Sequence, residues 1–216
     1  NYLPGVPEGS DLCITPVSAP ENHYVRIKAD NRLEADGTLR GTFTLTAEGQ
    51  SDSNIRRIFT TGFQSEWKST MERQLLAISP KARLLSVDYG KNPKYYQAAP
   101  IKITFRYEIP DYALRGEGEM FFRPMVMNNL YNQVRSYIWI DTSVENRKYG
   151  FKDGCSRLVE LDETIQLPAG YKLVSAAKDE TMQGVGADFE GSLVQKGNKV
   201  LLHNRLALKK RVYEAS

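Results

Sequence analysis

The chain has 216 residues, 41% hydrophobic and 25% charged, with a formal net charge of +3. That is globular composition, long enough to bury a core without metal or disulfide staples, so a disordered chain is excluded. So small a positive excess does not point to nucleic acid or to an anionic membrane surface.

No apolar run approaches the roughly 18 residues that a spanning helix needs. There is no signal-peptide pattern and no initiator Met. The turn-rich start at Asn1 and the stop at Ser216, directly after a charged strand, read as cuts through something longer. The two cysteines, Cys13 and Cys155, allow a disulfide in an oxidising compartment, but nothing in the sequence brings them together.

Residues 1–21 hold Pro4, Pro7, Pro16 and Pro20 with Gly5 and Gly9. Proline removes backbone donors and fixes φ, so this segment reads as an extended connector. In His23–Asp30, Val25, Ile27 and Ala29 share one face while Tyr24, Arg26 and Lys28 share the other. Asp36-Gly37 is a hairpin signal, and Leu39, Gly41, Phe43 and Leu45 continue with period two. Residues 23–48 therefore read as two paired strands.

The period then changes. Phe63, Trp67, Met71, Leu75 and Ile78 recur at intervals of four and three, which predicts one helix over about 62–78. Thr61 with Gln64 resembles a capping box, and Ser79-Pro80 ends the helix. The apolar stripe is expected to pack on a sheet.

Ile101, Ile103, Phe105, Tyr107 and Ile109 alternate strictly with Lys102, Thr104, Arg106 and Glu108, giving the cleanest half-buried strand. Glu119–Arg123 reads as another strand. Residues 125–141 fit either a loose helix (Val126, Leu130, Val134, Tyr137) or, over Tyr137–Ile140, a strand. Farther on, Val159, Leu161, Ile165 and Leu167 share a face, Pro168-Ala169-Gly170 turns the chain, and Tyr171–Ala176 follows. Phe189–Gln195 and Lys199–Lys209 flank Lys196-Gly197-Asn198, read as a three-residue hairpin loop. The basic run Lys209-Lys210-Arg211 reads as a solvated strand end. Many strands, one helix and short turns predict a mainly β fold, an antiparallel β-sandwich with one packed helix. The expected organisation is a connector over 1–21 and a single module over 22–216, with sub-parts 22–145 and 146–216.

No complete catalytic constellation is visible. The histidines, His23 and His203, fall within strand patterns, and no metal-ligand spacing or phosphate loop occurs. Cys155 and His203 are the one candidate nucleophile and base. A reactive thiolate wants a helix N-terminus or a similar positive environment, and the residues after Cys155 alternate as a strand instead. The carboxylate pairs Glu117 with Glu119 and Glu160 with Asp162 sit at i, i+2 on presumed solvent faces and say little. Tyr95, Tyr96, Tyr107, Tyr112, Tyr131 and Tyr137 would suit either a sugar-stacking platform or core and rim packing. No catalytic, cofactor-binding or metal residue is assigned.

The last seventy residues carry a recognisable pattern. It runs through Arg147-Lys-Tyr-Gly-Phe-Lys152, then Leu161-Asp-Glu-Thr-Ile-Gln-Leu-Pro168 with Gly170-Tyr171. It closes with Gly197-Asn-Lys-Val-Leu-Leu-His-Asn-Arg205-Leu-Ala-Leu-Lys209-Lys210. This resembles the C-terminal domain of unknown function found behind bacterial transglutaminase-like catalytic domains, common in Bacteroidetes. The opening Tyr2-Leu-Pro-Gly5 resembles the tail of such a catalytic domain. The resemblance implies an exported, periplasmic or cell-surface protein. Its papain-like catalytic domain would lie upstream, and the present chain would be its accessory module. The catalytic Cys, His and Asp of that family have no counterpart here, so no functional residue is carried over. The expected role is non-catalytic: orienting the catalytic domain, or binding a protein or envelope partner. A carbohydrate-binding module and a cryptic cysteine hydrolase stand as alternatives.

Overall fold

The computed structural model describes residues 5–9, 11–13, 15–96, 99–127, 148–175 and 178–215. Pro4, Tyr131 and Tyr137 and the ambiguous stretch from 128 onward lie outside the described residues.

In chain order the strands are β1 (Tyr24–Leu33), β2 (Leu39–Ala47), β3 (Arg83–Asp88), β4 (Ile101–Ile109), β5 (Leu114–Arg115) and β6 (Met120–Phe121). They continue as β7 (Phe151–Lys152), β8 (Arg157–Gln166), β9 (Glu180–Gln183), β10 (Ala187–Lys196), β11 (Lys199–Leu208) and β12 (Val212–Tyr213). Two α-helices, α1 (Gly49–Thr61) and α2 (Trp67–Leu76), lie between β2 and β3. The chain is mainly β, as its alternating segments predict. Eight strands form one sheet in the order β3-β4-β2-β1-β8-β11-β10-β9. Two small sheets, β12-β7 and β5-β6, complete the strand pairing among the described residues.

The sheet topology and the helices differ from expectation. The large sheet is mixed, because its central strands β1 and β8 run parallel, Tyr24 facing Leu158 and Arg32 facing Gln166. Antiparallel sets flank that pair on both sides. Among the described residues, helices and irregular segments pack on its apolar face, and no second large sheet does. Among the described residues there are two α-helices where one was expected.

The hairpin at Asp36-Gly37 forms as read. Gly37 sits at φ 84°, Glu34 N–H donates to Thr38 O, and the Asp36 carboxylate accepts from Thr38 N–H. Odd residues of β1 point inward and even ones outward. The register carries that phase across the sheet, so Phe43 stacks on Phe105 with ring centroids 4.2 Å apart. The second hairpin is tighter than expected. Lys196 pairs with Lys199, leaving Gly197-Asn198 as a two-residue turn. Pro168–Gly170 turns the chain as read, but no strand follows over 171–175; the next is β9. Glu119–Arg123 shrinks to the two residues of β6.

Helix α1 gave no apolar stripe because its inward face is largely polar. Ser51, Asp52 and Arg56 are buried beside Ile55 and Phe59. In α2, Trp67, Met71 and Leu75 are buried as expected. Phe63 is not: it is 77% exposed, because it precedes α2 in extended conformation at the start of a short 3-10 turn. The Thr61–Gln64 capping box is likewise absent. Thr61 Oγ1 donates back to Arg57 O, and Glu66 accepts from Phe63 N–H. The helices meet through aromatic edges, with Phe59 5.1 Å from Trp67 and 5.7 Å from Tyr89.

This packing makes a simple contrast. Phe59→Ala and Trp67→Ala should each cost about 3–5 kcal/mol in urea unfolding, and Phe63→Ala no more than about 0.5 kcal/mol. Equal losses at all three positions would mean that Phe63 is packed after all.

Candidate functional site

Three buried polar clusters interrupt the apolar interior. The first crosses the middle of the sheet. Asn31 and Glu163 take inward positions on β1 and β8, in phase with Ile27, Leu33, Leu161 and Ile165. Tyr107 Oη donates to Asn31 Oδ1 at 2.5 Å, and Asn31 Nδ2 donates to Glu163 Oε1 at 2.7 Å. Glu163 Oε2 accepts from Val126 N–H at 3.0 Å. Gly41 faces Asn31 across the β1–β2 register, and any Cβ there would meet Asn31 Oδ1 at 1.9 Å. The missing side chain is what makes room for the amide. Burial pushes the Glu163 carboxyl up, against the opposing pull of the Val126 amide, the Asn31 side chain and the Met125 amide. Burial also holds the Tyr107 phenol well above its usual range.

The second cluster ties α1 to the loop before β4. Asp52 binds Arg56 through Nε at 2.6 Å and Nη2 at 3.0 Å, and its Oδ1 accepts from Ile101 N–H at 2.7 Å. Arg56 also donates to the carbonyls of Pro93, Tyr95 and Ala99. All these bonds end on backbone or on each other, which is a structural use of a buried ion pair.

The third surrounds Arg157, which is 1% exposed. Its Nη2 lies 3.4 Å from Asp153 Oδ2 and 3.7 Å from Cys155 Sγ, and its Nη1 lies 3.3 Å from Ser51 Oγ. His23 stands nearby, closing the 3-10 turn Pro20–His23 rather than opening a strand. His23 Nδ1 accepts from Gln50 N–H at 3.2 Å, which places its ring proton on Nε2. Burial, then Arg157, lowers the His23 pKa.

The candidate nucleophile and base are not brought together. Cys155 is buried beside Arg157, and burial pushes its thiol up. His203 faces Asp162 in the β8–β11 register and its Nδ1 lies 2.7 Å from Asp162 Oδ1, on the solvent face. Asp162 is five positions along β8 from Arg157, roughly 17 Å of strand. Both cysteines are free thiols. Glu117 and Glu119 occupy the turn between β5 and β6 rather than a strand face, with Gly116 N–H bonded to Glu119 O. Glu160 is engaged by Arg26 and by Arg205.

Of the tyrosines, Tyr95 and Tyr96 are exposed, Tyr107 is fully buried, and Tyr112 is half-buried and donates to Arg123 O. They form no common platform. An open, mostly apolar groove of about 720 Å³ lies between the 118–124 and 167–175 segments, lined by Leu33, Phe122, Leu167, Tyr171, Leu173 and Val200. Among the described residues no group of three or more His, Cys, Asp or Glu is placed to hold a metal, and no helix is long and apolar enough to cross a membrane.

Residues 118–216 match a domain of unknown function, DUF3858. The match contains the strand, turn and hairpin motifs of β8 to β11 and begins within the β5–β6 turn. No curated protein and no solved structure matches the chain.

Two pH effects follow from these clusters. Between the ordinary carboxylate range and the raised value of Glu163, the folded chain keeps a proton that the unfolded chain releases. Stability should therefore fall as pH rises through that window. Glu163→Gln should flatten the slope, since Asn31 can rotate its amide to face the new one. Glu163→Ala should cost about 2–4 kcal/mol by orphaning Asn31 and the Val126 amide. Denaturant titrations across pH 4–8 measure both, and an unchanged slope in Glu163→Gln would refute the assignment.

His23 works in the opposite sense. Its folded pKa lies below the ordinary 6.5, so its contribution is fully present above pH 6.5 and is lost as pH falls through the lowered value. His23→Asn keeps an acceptor for Gln50 N–H. It should therefore remove the component of acid destabilisation that begins just below pH 6.5, as read from thermal midpoints.

Proposed function

We propose that this chain is a non-catalytic interaction module of a larger exported protein, serving an upstream transglutaminase-like catalytic domain through a surface. The carrying observation is that the buried polar clusters end on backbone amides, backbone carbonyls and each other. Glu163 holds the Val126 amide, and Arg56 holds three loop carbonyls. These groups do structural work. The separation of Cys155 from His203 and the burial of the thiol support the same reading.

The link to transglutaminase-like proteins is supported by the resemblance of the segments at 147–152, 161–171 and 197–210. The match of 118–216 to a domain of unknown function is consistent with an accessory role. Extracytoplasmic location belongs to the same reading. The segment ahead of β1 fits a connector: the described residues between Gly5 and Ser18 are largely exposed, and Ser18 O accepts from Ser156 Oγ at 2.5 Å, tying its end to the start of β8.

Two measurements test this. In the full-length protein, deleting 23–210 should lower the stability or turnover of the catalytic domain; an unaffected enzyme would sink the reading. In the isolated chain, Cys155 should resist iodoacetamide until unfolding, and Cys155→Ala should change stability alone. A fast-alkylating thiol would instead favour a cysteine hydrolase.

A further inference from the structure

The solvent face of the large sheet carries one row of side chains that breaks the charge pairing of its neighbours. Register fixes the rows. One row runs Lys102, Thr46, Arg26, Glu160, Arg205, Glu190 across β4, β2, β1, β8, β11 and β10; Arg26 and Arg205 face acids, Lys102 faces Thr46, and no two like charges stand opposite each other. The next runs Lys28, Asp162, His203 and pairs in the same way.

The row near the opposite end of these strands does not. Arg83 faces Glu108, Glu108 faces Arg40, and Arg40 faces Arg32. Arg32 then faces Gln166, Gln166 faces Lys199, and Lys199 faces Lys196. Two like-charge pairs therefore stand directly opposite each other, an arrangement that destabilises a sheet. Arg106, one step inward, adds a further cation beside Thr42. A concavity of about 440 Å³ opens here, bounded by Arg32, Arg40, Arg106 and Lys199 over Thr42 and Thr164. Asp30 is the one acid within it.

We infer that this basic row is the docking surface for an acidic segment of a partner polypeptide. The inference rests on the interaction-module reading and names its surface and partner chemistry. Seven adjacent strands carry the row, so it spans ~29 Å at ~4.8 Å per strand, the length of roughly nine extended residues. Its arginines already adopt carboxylate-binding geometry. Glu108 receives Arg83 at 3.0 Å and Arg40 at 3.3 Å, and Glu34 receives Arg32 at 3.2 Å. Among the described residues Arg106 and Lys199 have no ion-pair partner, so cationic donors remain for incoming carboxylates. No aromatic side chain stands in this row or the adjacent one, so nothing stacks bases or sugars as single-stranded nucleic acid or neutral glycan binding would use. An acidic chain laid across the strands relieves both like-charge pairs at once.

The test is fluorescence anisotropy of a labelled oligoglutamate of about ten residues against the 216-residue chain, with a sulfated oligosaccharide and a single-stranded DNA of equal charge as comparators. Oligoglutamate should bind at low salt and weaken at about 150 mM salt. Arg32→Ser with Arg40→Ser should weaken it roughly tenfold or more, with a thermal midpoint equal to or above the parent's. Lys196→Ser with Lys199→Ser should weaken it too, and an equal charge loss on α2, Lys68→Ser with Arg73→Ser, should not. No binding at low salt, equal weakening by the α2 variant, or preference for either comparator would overturn the inference. In the full-length protein, an effect of module deletion that the row variants fail to reproduce would overturn this surface and leave the interaction-module reading standing.

Discussion

The parallel pairing of β1 with β8 holds the molecule together. These strands sit side by side in the middle of the sheet, one from the first quarter of the chain and one from the last third. Each carries an antiparallel set: β2, β4 and β3 on one side, β11, β10 and β9 on the other. Remove the joint and two open half-sheets remain, each with a bare central edge. A parallel pair cannot be closed by a short turn, so the long connection between β1 and β8 must return to the same edge. The Asn31–Glu163 hydrogen bond sits on this joint, and Tyr107 extends it to β4. The polar chain thus runs across the strands where the two halves meet. A one-residue slip of β8 against β1 would turn Glu163 to solvent and Asp162 inward, so the buried bond favours the native register.

Much of this was legible. Period two identified β1, β2, β4, β8, β10 and β11, and the inward residues of β4 are buried as their alternation implies. The interval of four identified α2 and its buried Trp67, Met71 and Leu75. Helix α1 escaped because its inward positions are largely filled by polar residues. It presents Ser51, Asp52 and Arg56 to the interior, and each is satisfied there, so hydrophobic periodicity had little to detect. Phe63 misled in the reverse direction, since its spacing from Trp67 counts as helical only if the helix has already begun.

The buried sites left a signal that could have been used. In the phase Val25, Ile27, Ala29, Leu33, the missing member is Asn31; in Val159, Leu161, Ile165, Leu167 it is Glu163. A single polar residue at an inward position of two separate strands suggests that they meet. Their parallel pairing, however, depends on a return over more than a hundred residues, and no local pattern encodes it. The basic row was invisible for the same reason. Arg32, Arg40, Arg83, Lys196 and Lys199 are dispersed along the chain, each an ordinary outward residue of its own strand. Net charge gave no hint, because the excess is local and cancels elsewhere.

Position in the fold separates the two kinds of charge. Where a charged group is buried, it is engaged by fixed partners: Arg56 by Asp52 and loop carbonyls, Glu163 by Asn31 and an amide, Arg157 by Asp153 and Ser51. Such groups are costly to leave unpaired, so folding fixes their partners and leaves them little freedom to serve a ligand. On the solvent face the cost of an imperfect pair is small, typically under about 1 kcal/mol, and the fold tolerates an unbalanced row. The two like-charge pairs of this face, Arg32 with Arg40 and Lys196 with Lys199, both fall in that one row. The acidic segment proposed above would act there, by bringing carboxylates to Arg32 and Arg40. The interior therefore sets the register, and the register in turn lines up cations from distant parts of the chain.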